Sequence, residues 1–200
     1  MSEPSSPRSE AKASRRQAIL DAAAGLFAAQ GFAGASLEDV GAEAGVRGPA
    51  IYRHFPGKQA VLGALLLEAS EALLEGGRRV AAAAHDDEAR LGALVAFQVD
   101  FALARPDVIR IQDRDFGALA DADRERVRAL QLEYVDVWRA ALAPLHPDEG
   151  APALRLRAQA VFGLINSTPH SVRRHGGRVA AATARRLLES MALAALTAPP

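Results

Sequence analysis

The sequence predicts an all-α protein of about nine helices, with a three-helix helix-turn-helix domain ahead of a larger helical domain. Three observations carry this. Apolar residues recur at helical spacing in segment after segment from Ile19 to Ala195, and nowhere do apolar and polar residues alternate as in a half-buried strand. Glycine and proline interrupt the pattern at intervals that suit helix ends. Between Ser36 and Lys58, two short amphipathic segments pivot about Gly45 at helix-turn-helix spacing.

Residues 1–8 are rich in Ser, Pro and Glu without periodicity and read as a disordered tail, turning basic toward Lys12, Arg15 and Arg16. The first helix is expected from about Glu10 or Ser14 to Gln30, because Ile19, Ala22, Ala23, Leu26 and Phe27 share a face and Gly31 is placed to stop it. Ser36 with Asp39 three residues on is a capping box, after which Leu37, Val40 and Ala44 line one face until Gly45. Val46 is an apolar turn residue, Pro49 suits the first turn of the next helix, and Ile51 and Phe55 share its inner face. The opposite face carries Arg47, Ala50, Tyr52, Arg53 and His54, a mixture of cations, hydrogen-bonding groups and one methyl suited to phosphates and base edges.

Pro56-Gly57 then breaks the chain before a long helix with the stripe Val61, Leu62, Leu65, Leu66, Ala69 and Leu73, expected to end at Gly76-Gly77 or a turn or so later. The next stripe is Leu91, Leu94, Val95, Gln98, Phe101 and Ala102, interrupted by Arg105-Pro106. A short helix through Ile109 and Ile111 follows, then Val127, Leu130, Gln131, Tyr134, Trp138 and Ala141, ended by Pro144. The last two helices carry Leu154, Ala158, Val161, Phe162 and Ile165, stopping near Pro169, and Leu187, Leu188, Met191 and Ala195. The domain assignment is a tail over 1–8, a helix-turn-helix domain over 9–56 and a helical ligand-binding and dimerisation domain over 57–200.

Composition limits the function classes. Lys plus Arg and Asp plus Glu are both 24, so attraction to nucleic acid must come from local placement. Even within residues 1–60, seven cations stand against six acids. The absence of Cys excludes disulfide scaffolds and thiolate metal sites, and without the apolar run of a signal peptide the cytoplasm is the expected compartment. No carboxylate pair, Ser-His-Asp set or His ligand spacing emerges, so no catalytic role, metal or cofactor is expected.

Residues 14 to 62 resemble the DNA-binding domain of the TetR family of bacterial transcriptional regulators. The resemblance rests on three linked segments: the run from Ile19 to Phe32, the run from Ser36 to Gly45, and the run from Val46 to Phe55 with Lys58. It implies a recognition helix from about Gly48 to His54 that includes Pro49, Ala50 and Arg53, and phosphate contacts by Ser36, Tyr52, His54 and Lys58. Arg47 departs from the small polar residue common there and is expected to read a guanine edge, with phosphate clamping as its alternative. Arg15 and its basic neighbours are either phosphate contacts or a solvated helix start.

In the second domain the segments from Asp115 to Tyr134 and from Val161 to Gly177 are similar to members governing lipid or acyl-CoA catabolism, although Ser167 and His175 stand where that pattern has aromatics. The candidate ligand residues are Gln98, Phe101, Phe116, Gln131, Tyr134, Trp138, Phe162, Asn166 and His170. Gln98 and Gln131 interrupt apolar stripes, and a buried amide must bond either to neighbouring helices or to something held between them. The aromatics are either core or pocket wall, and Asn166 and His170 lie four apart on one face. Arg173, Arg174 and His175 form a basic cluster that either holds coenzyme A phosphates or belongs to a solvated loop.

The expected function is a homodimeric repressor, paired through its last two helices, that binds a palindromic DNA operator and is released by a small hydrophobic effector, with an acyl-CoA thioester as one candidate. The alternatives are an activator, or a ligand-binding or interaction module of the same fold without operator binding.

Overall fold

The structure, a computed structural model, describes residues 7–46, 48–167 and 180–199, and among them the chain is helical with no strand. Helix α1 (Pro7–Gly34) starts within the last two positions of the expected tail; residues 1–6 of that tail lie outside the described residues. At Gly31 the backbone leaves helical geometry (φ 84°, ψ 157°) before a final turn closes on Gly34. Only glycine adopts that conformation readily, so the expected stop is a kink between two helical pieces.

Helix α2 (Leu37–Glu43) opens with the capping box. The segment after it, Gly48–Arg53, is a 3₁₀ helix and not the α-helix expected through His54. Confined between a left-handed Gly48 (φ 56°) and Pro56, it is too short for more than one α-type bond, from Phe55 N to Ile51 O at 3.0 Å.

Helix α3 (Lys58–Ala83) runs straight through Gly76-Gly77, the earlier of its two expected ends, and stops between one and two turns later. A Cβ on Gly76 would lie 2.1 Å from Phe97 Cζ, and one on Gly77 2.4 Å from Tyr134 Cε2. The two glycines serve close helix packing, at a helix-propensity cost of about 1 kcal/mol each.

Helix α4 (Asp87–Ala104) is capped by Asp86, whose carboxylate accepts from Ala89 N at 2.6 Å, and it ends at Arg105-Pro106 as expected. Helix α5 (Pro106–Asp115) begins on its proline and leads into a single turn, Phe116–Ala118. Helices α6 (Asp121–Leu142), α7 (Ala151–Asn166) and α8 (Ala181–Thr197) complete the chain. With Gly48–Arg53, the described residues hold nine helices beside that turn.

Two clusters form the core. One joins Ile19, Phe27, Val40, Ile51 and Phe55 to Leu62 and Leu66 of α3 and continues into Val108 and Ile111 of α5. The other gathers Leu91, Leu94, Trp138, Leu142, Ile165, Ala192 and Leu196, and Phe101 packs against both. Burying each such side chain contributes about 1.5–3 kcal/mol. The expected boundary at residue 56 therefore coincides with the start of α3 but not with a gap in the core.

Helix α8 carries two apolar faces. Its core face is Ala192 and Leu196, while Leu187 and Met191, expected on the apolar stripe, are 54% and 53% exposed. Leu156 of α7 is likewise 67% exposed. No helix among the described residues is long and apolar enough to cross a membrane.

Candidate functional site: a nucleic-acid interface and a ligand cavity

The helix-turn-helix is fixed by short-range chemistry. Asp39 N donates to Ser36 Oγ at 3.0 Å and Ser36 N to Asp39 Oδ2 at 3.1 Å, which sets the entry of α2. Val46 N donates to Gly41 O at 2.7 Å, and a Cβ on Gly41 would come within 2.9 Å of Val46 O, so the turn closes only on a glycine. With Ile51 and Phe55 buried beneath, Gly48, Pro49, Tyr52 and Arg53 are exposed, while Ala50 and His54 are half-buried. Arg15 is exposed on α1, and Arg47 lies outside the described residues. Arg16, next to Arg15, pairs with Glu68 of α3 and sits 4.9 Å over the Phe55 ring.

Besides Ser36, whose hydroxyl is held in the capping box, two expected phosphate-contacting side chains already have protein partners. Tyr52 donates its hydroxyl to Glu38 Oε1 at 2.6 Å, a bond that draws the Glu38 carboxyl below its ordinary range and pushes the phenol up. Lys58 Nζ donates to Phe32 O at 2.8 Å, Ala35 O at 3.0 Å and Ala33 O at 3.4 Å, and lies 4.6 Å over the Phe32 ring. It thereby caps the chain between α1 and α2. Lys58→Met is expected to destabilise the protein by about 1–3 kcal/mol, because it strands those carbonyls; chemical denaturation measures this, and an unchanged midpoint contradicts the capping role. His54 keeps a buried Nδ1 with no hydrogen-bond partner.

The kink at Gly31 is clamped from α5. Arg114, at the end of α5, donates to Phe27 O and to both oxygens of Asp115, whose Oδ2 accepts from Phe32 N at 3.3 Å. The pair raises the Arg114 pKa above its ordinary value, chiefly through the hydrogen bond to Asp115. A Cβ on Gly31 would sit 3.6 Å from the Arg114 guanidinium carbon.

A cavity of about 390 Å³ opens between α3 and α7. Five candidate ligand residues meet there: Gln98, Gln131, Tyr134, Phe162 and Asn166. Tyr134 donates to Gln98 Oε1 at 3.0 Å and Gln98 Nε2 to Asn166 Oδ1 at 3.1 Å, so one amide joins α6 to α7 through α4. The Tyr134 ring stacks on Phe162 at 5.5 Å, and burial pushes its phenol up. Phe101, Phe116 and Trp138 do not line the cavity. Phe101 and Phe116 pack on the core, and Trp138 is fully buried, edge-on to Phe162 at 5.0 Å. His170 and the cluster Arg173-Arg174-His175 lie outside the described residues.

Two family profiles fit the chain along most of its length: "Bacterial regulatory proteins, tetR family" over residues 19–65 and "Tetracyclin repressor-like, C-terminal domain" over residues 84–196. The chain belongs to the TetR family of bacterial regulatory proteins. TetR-family proteins are DNA-binding transcriptional regulators and not enzymes. A relative of known function, the HTH-type transcriptional repressor KstR2 of Rhodococcus jostii, is 27% identical over all of this chain and 99% of its own length. A TetR-family regulator from Bordetella parapertussis superposes with a TM-score of 0.78 at 26% identity, over 89% of this chain and 93% of that one. The fold also matches AibR in complex with isovaleryl coenzyme A and operator DNA, with a TM-score of 0.74 at 18% identity, over 88% and 97% of the two chains.

Several residues of this TetR-family regulator carry no signal in the sequence pattern. Glu38 sits on the outer face of α2, where nothing in the pattern distinguishes a solvated acid from the partner of a tyrosine fourteen residues on. Gln112, Arg128 and Gln159 line the cavity from three helices, each just off the apolar stripe. The resemblance supplied a phosphate role for Lys58, but its capping role depends on how the chain turns at Gly31, which periodicity does not specify.

Proposed function

We infer that this TetR-family regulator is a homodimeric repressor that binds a near-palindromic operator and leaves it when a small molecule occupies the cavity. The observation that carries this is α5. Its Gln112 lines the cavity, while two and three residues on Arg114 and Asp115 grip the kink of the helix that supports the helix-turn-helix. A ligand that moves α5 moves α1, and it releases DNA to the extent that it binds the displaced state more tightly.

The dimer reading draws on Leu156, Leu187 and Met191, which leave apolar surface exposed on α7 and α8. Two-fold pairing there gives two recognition segments and a two-fold operator. On the interface proper, Arg47 is assigned to base readout, and Arg15, Ser36, Tyr52, Arg53, His54 and Lys58 to the phosphates, with Gly48, Pro49 and Ala50 letting the segment approach the groove. Phosphate contact by Tyr52 requires its hydroxyl to leave Glu38, and contact by Lys58 requires its ammonium to give up one of the three carbonyls it caps. The effector class includes acyl-CoA thioesters, in line with the AibR complex. Near-neutral charge favours a second reading, a module of this fold that no longer binds an operator.

Fluorescence anisotropy on the DNA upstream of the chain's own gene separates the two. A steep fall of affinity with salt is expected, with loss of preference over random DNA by about 1–3 kcal/mol in Arg47→Ala and release by a coenzyme A thioester. Equal affinity for upstream and random DNA at low salt rejects the repressor.

A further inference from the structure

The cavity is more polar than a small hydrophobic effector requires. Phe162 and Leu73 give it apolar surface, yet four glutamines and one asparagine also line it. Gln98 and Asn166 are bonded to each other and form a finished wall. Gln131 is not: its Nε2 is buried without a hydrogen-bond partner, a cost to the fold that an acceptor oxygen in the cavity removes once the side chain turns toward it. Arg128 is the only charged residue among the described lining. It is exposed at the rim, no carboxylate pairs with it among the described residues, and its guanidinium lies 5.5 Å over the Phe116 ring.

We propose that the effector is an oxygenated organic acid, with an apolar skeleton against Phe162, an oxyanion at Arg128, and a hydroxyl or carbonyl oxygen that accepts from Gln131. This rests on the reading of the cavity as the effector site. Its volume of about 390 Å³ lies low in the usual range of roughly 300–1,000 Å³. It accommodates a modest acid, or the acyl end of a coenzyme A thioester with its phosphates outside at Arg128. Carboxylate and phosphate offer Arg128 the same oxyanion chemistry.

Isothermal titration calorimetry of the full chain without DNA tests this with decanol, decanoate, ω-hydroxydecanoate and decanoyl coenzyme A. Decanoate is expected to bind roughly tenfold more tightly than decanol, and Arg128→Gln to erase that advantage. Gln131→Leu is expected to raise the Tm of the free protein while weakening ω-hydroxydecanoate roughly tenfold and decanoate far less. Binding by the thioester alone, weakened by Arg128→Gln, supports the proposal with phosphate as the oxyanion. Equal binding of decanol and the acids, acid binding untouched by Arg128→Gln, or no binding by any of the four overturns it. Operator release by decanol without preference for acids defeats the acid and leaves the ligand-responsive repressor standing; acid binding that never releases DNA does the reverse.

Discussion

Gly77→Ala is expected to lower the melting temperature by several degrees and to abolish binding in the cavity. The added Cβ would lie 2.4 Å from Tyr134 Cε2 and 3.2 Å from Cδ2, well inside contact distance. The Tyr134 ring cannot easily retreat. It is 5% exposed, lies parallel to Phe162 (interplanar angle 5°), and is tied through its hydroxyl to Gln98. Overpacking of this kind costs about 1–3 kcal/mol, and more when the backbone must move, against a gain of about 1 kcal/mol from replacing a helical glycine. For a chain of this length each kcal/mol is worth about 2–4 °C. Gly92→Ala is the control: it lies in α4 with nothing within 4 Å of an added Cβ, and should stabilise slightly. Thermal unfolding followed by circular dichroism decides the matter, and a Gly77→Ala variant as stable as the parent contradicts the close packing.

The second large effect is expected from Leu187→Asp combined with Met191→Asp. Both side chains are more than half exposed and lie on the face of α8 away from Ala192 and Leu196, so the folded protomer tolerates the change. In the proposed dimer, the same carboxylates meet their symmetry copies across a two-fold axis, where unpaired buried charge is strongly disfavoured. Analytical ultracentrifugation should show monomers with unchanged helicity. Operator affinity should fall by roughly two orders of magnitude or more, because each half-site is then bound without its partner. A dimer that survives both substitutions moves the interface away from these residues.

The fold was legible because each element had a local cause. The Ser36–Asp39 capping box, the left-handed Gly45 and the stripes of α4 and α6 are decided by residues close in sequence. The reading was incomplete where distant partners decide. Gly76-Gly77 reads as a helix end in one dimension and as a packing device once Phe97 and Tyr134 are brought against it. On α8, two apolar sets at helical spacing compete for the core, and only the position of α4 and α7 selects Ala192 and Leu196 over Leu187 and Met191. The candidate site divides in the same way. Gln98 and Gln131 betrayed themselves by interrupting apolar stripes, whereas Gln112, Arg128 and Gln159 stand at positions where a polar side chain calls for no explanation.

The bond from Tyr52 to Glu38 bears on how many copies of the protein a cell must hold. Any phosphate that recruits the Tyr52 hydroxyl must first displace a carboxylate, and that carboxylate then stands as a repelling charge beside the DNA. On random sequence, no base contact offsets this exchange, and a chain of zero formal net charge adds no long-range pull. In the proposed repressor, the chromosome, a vast excess of wrong sites, is therefore expected to sequester little of the protein. A small number of free molecules is then expected to suffice to fill an operator, with occupancy following modest changes in that number.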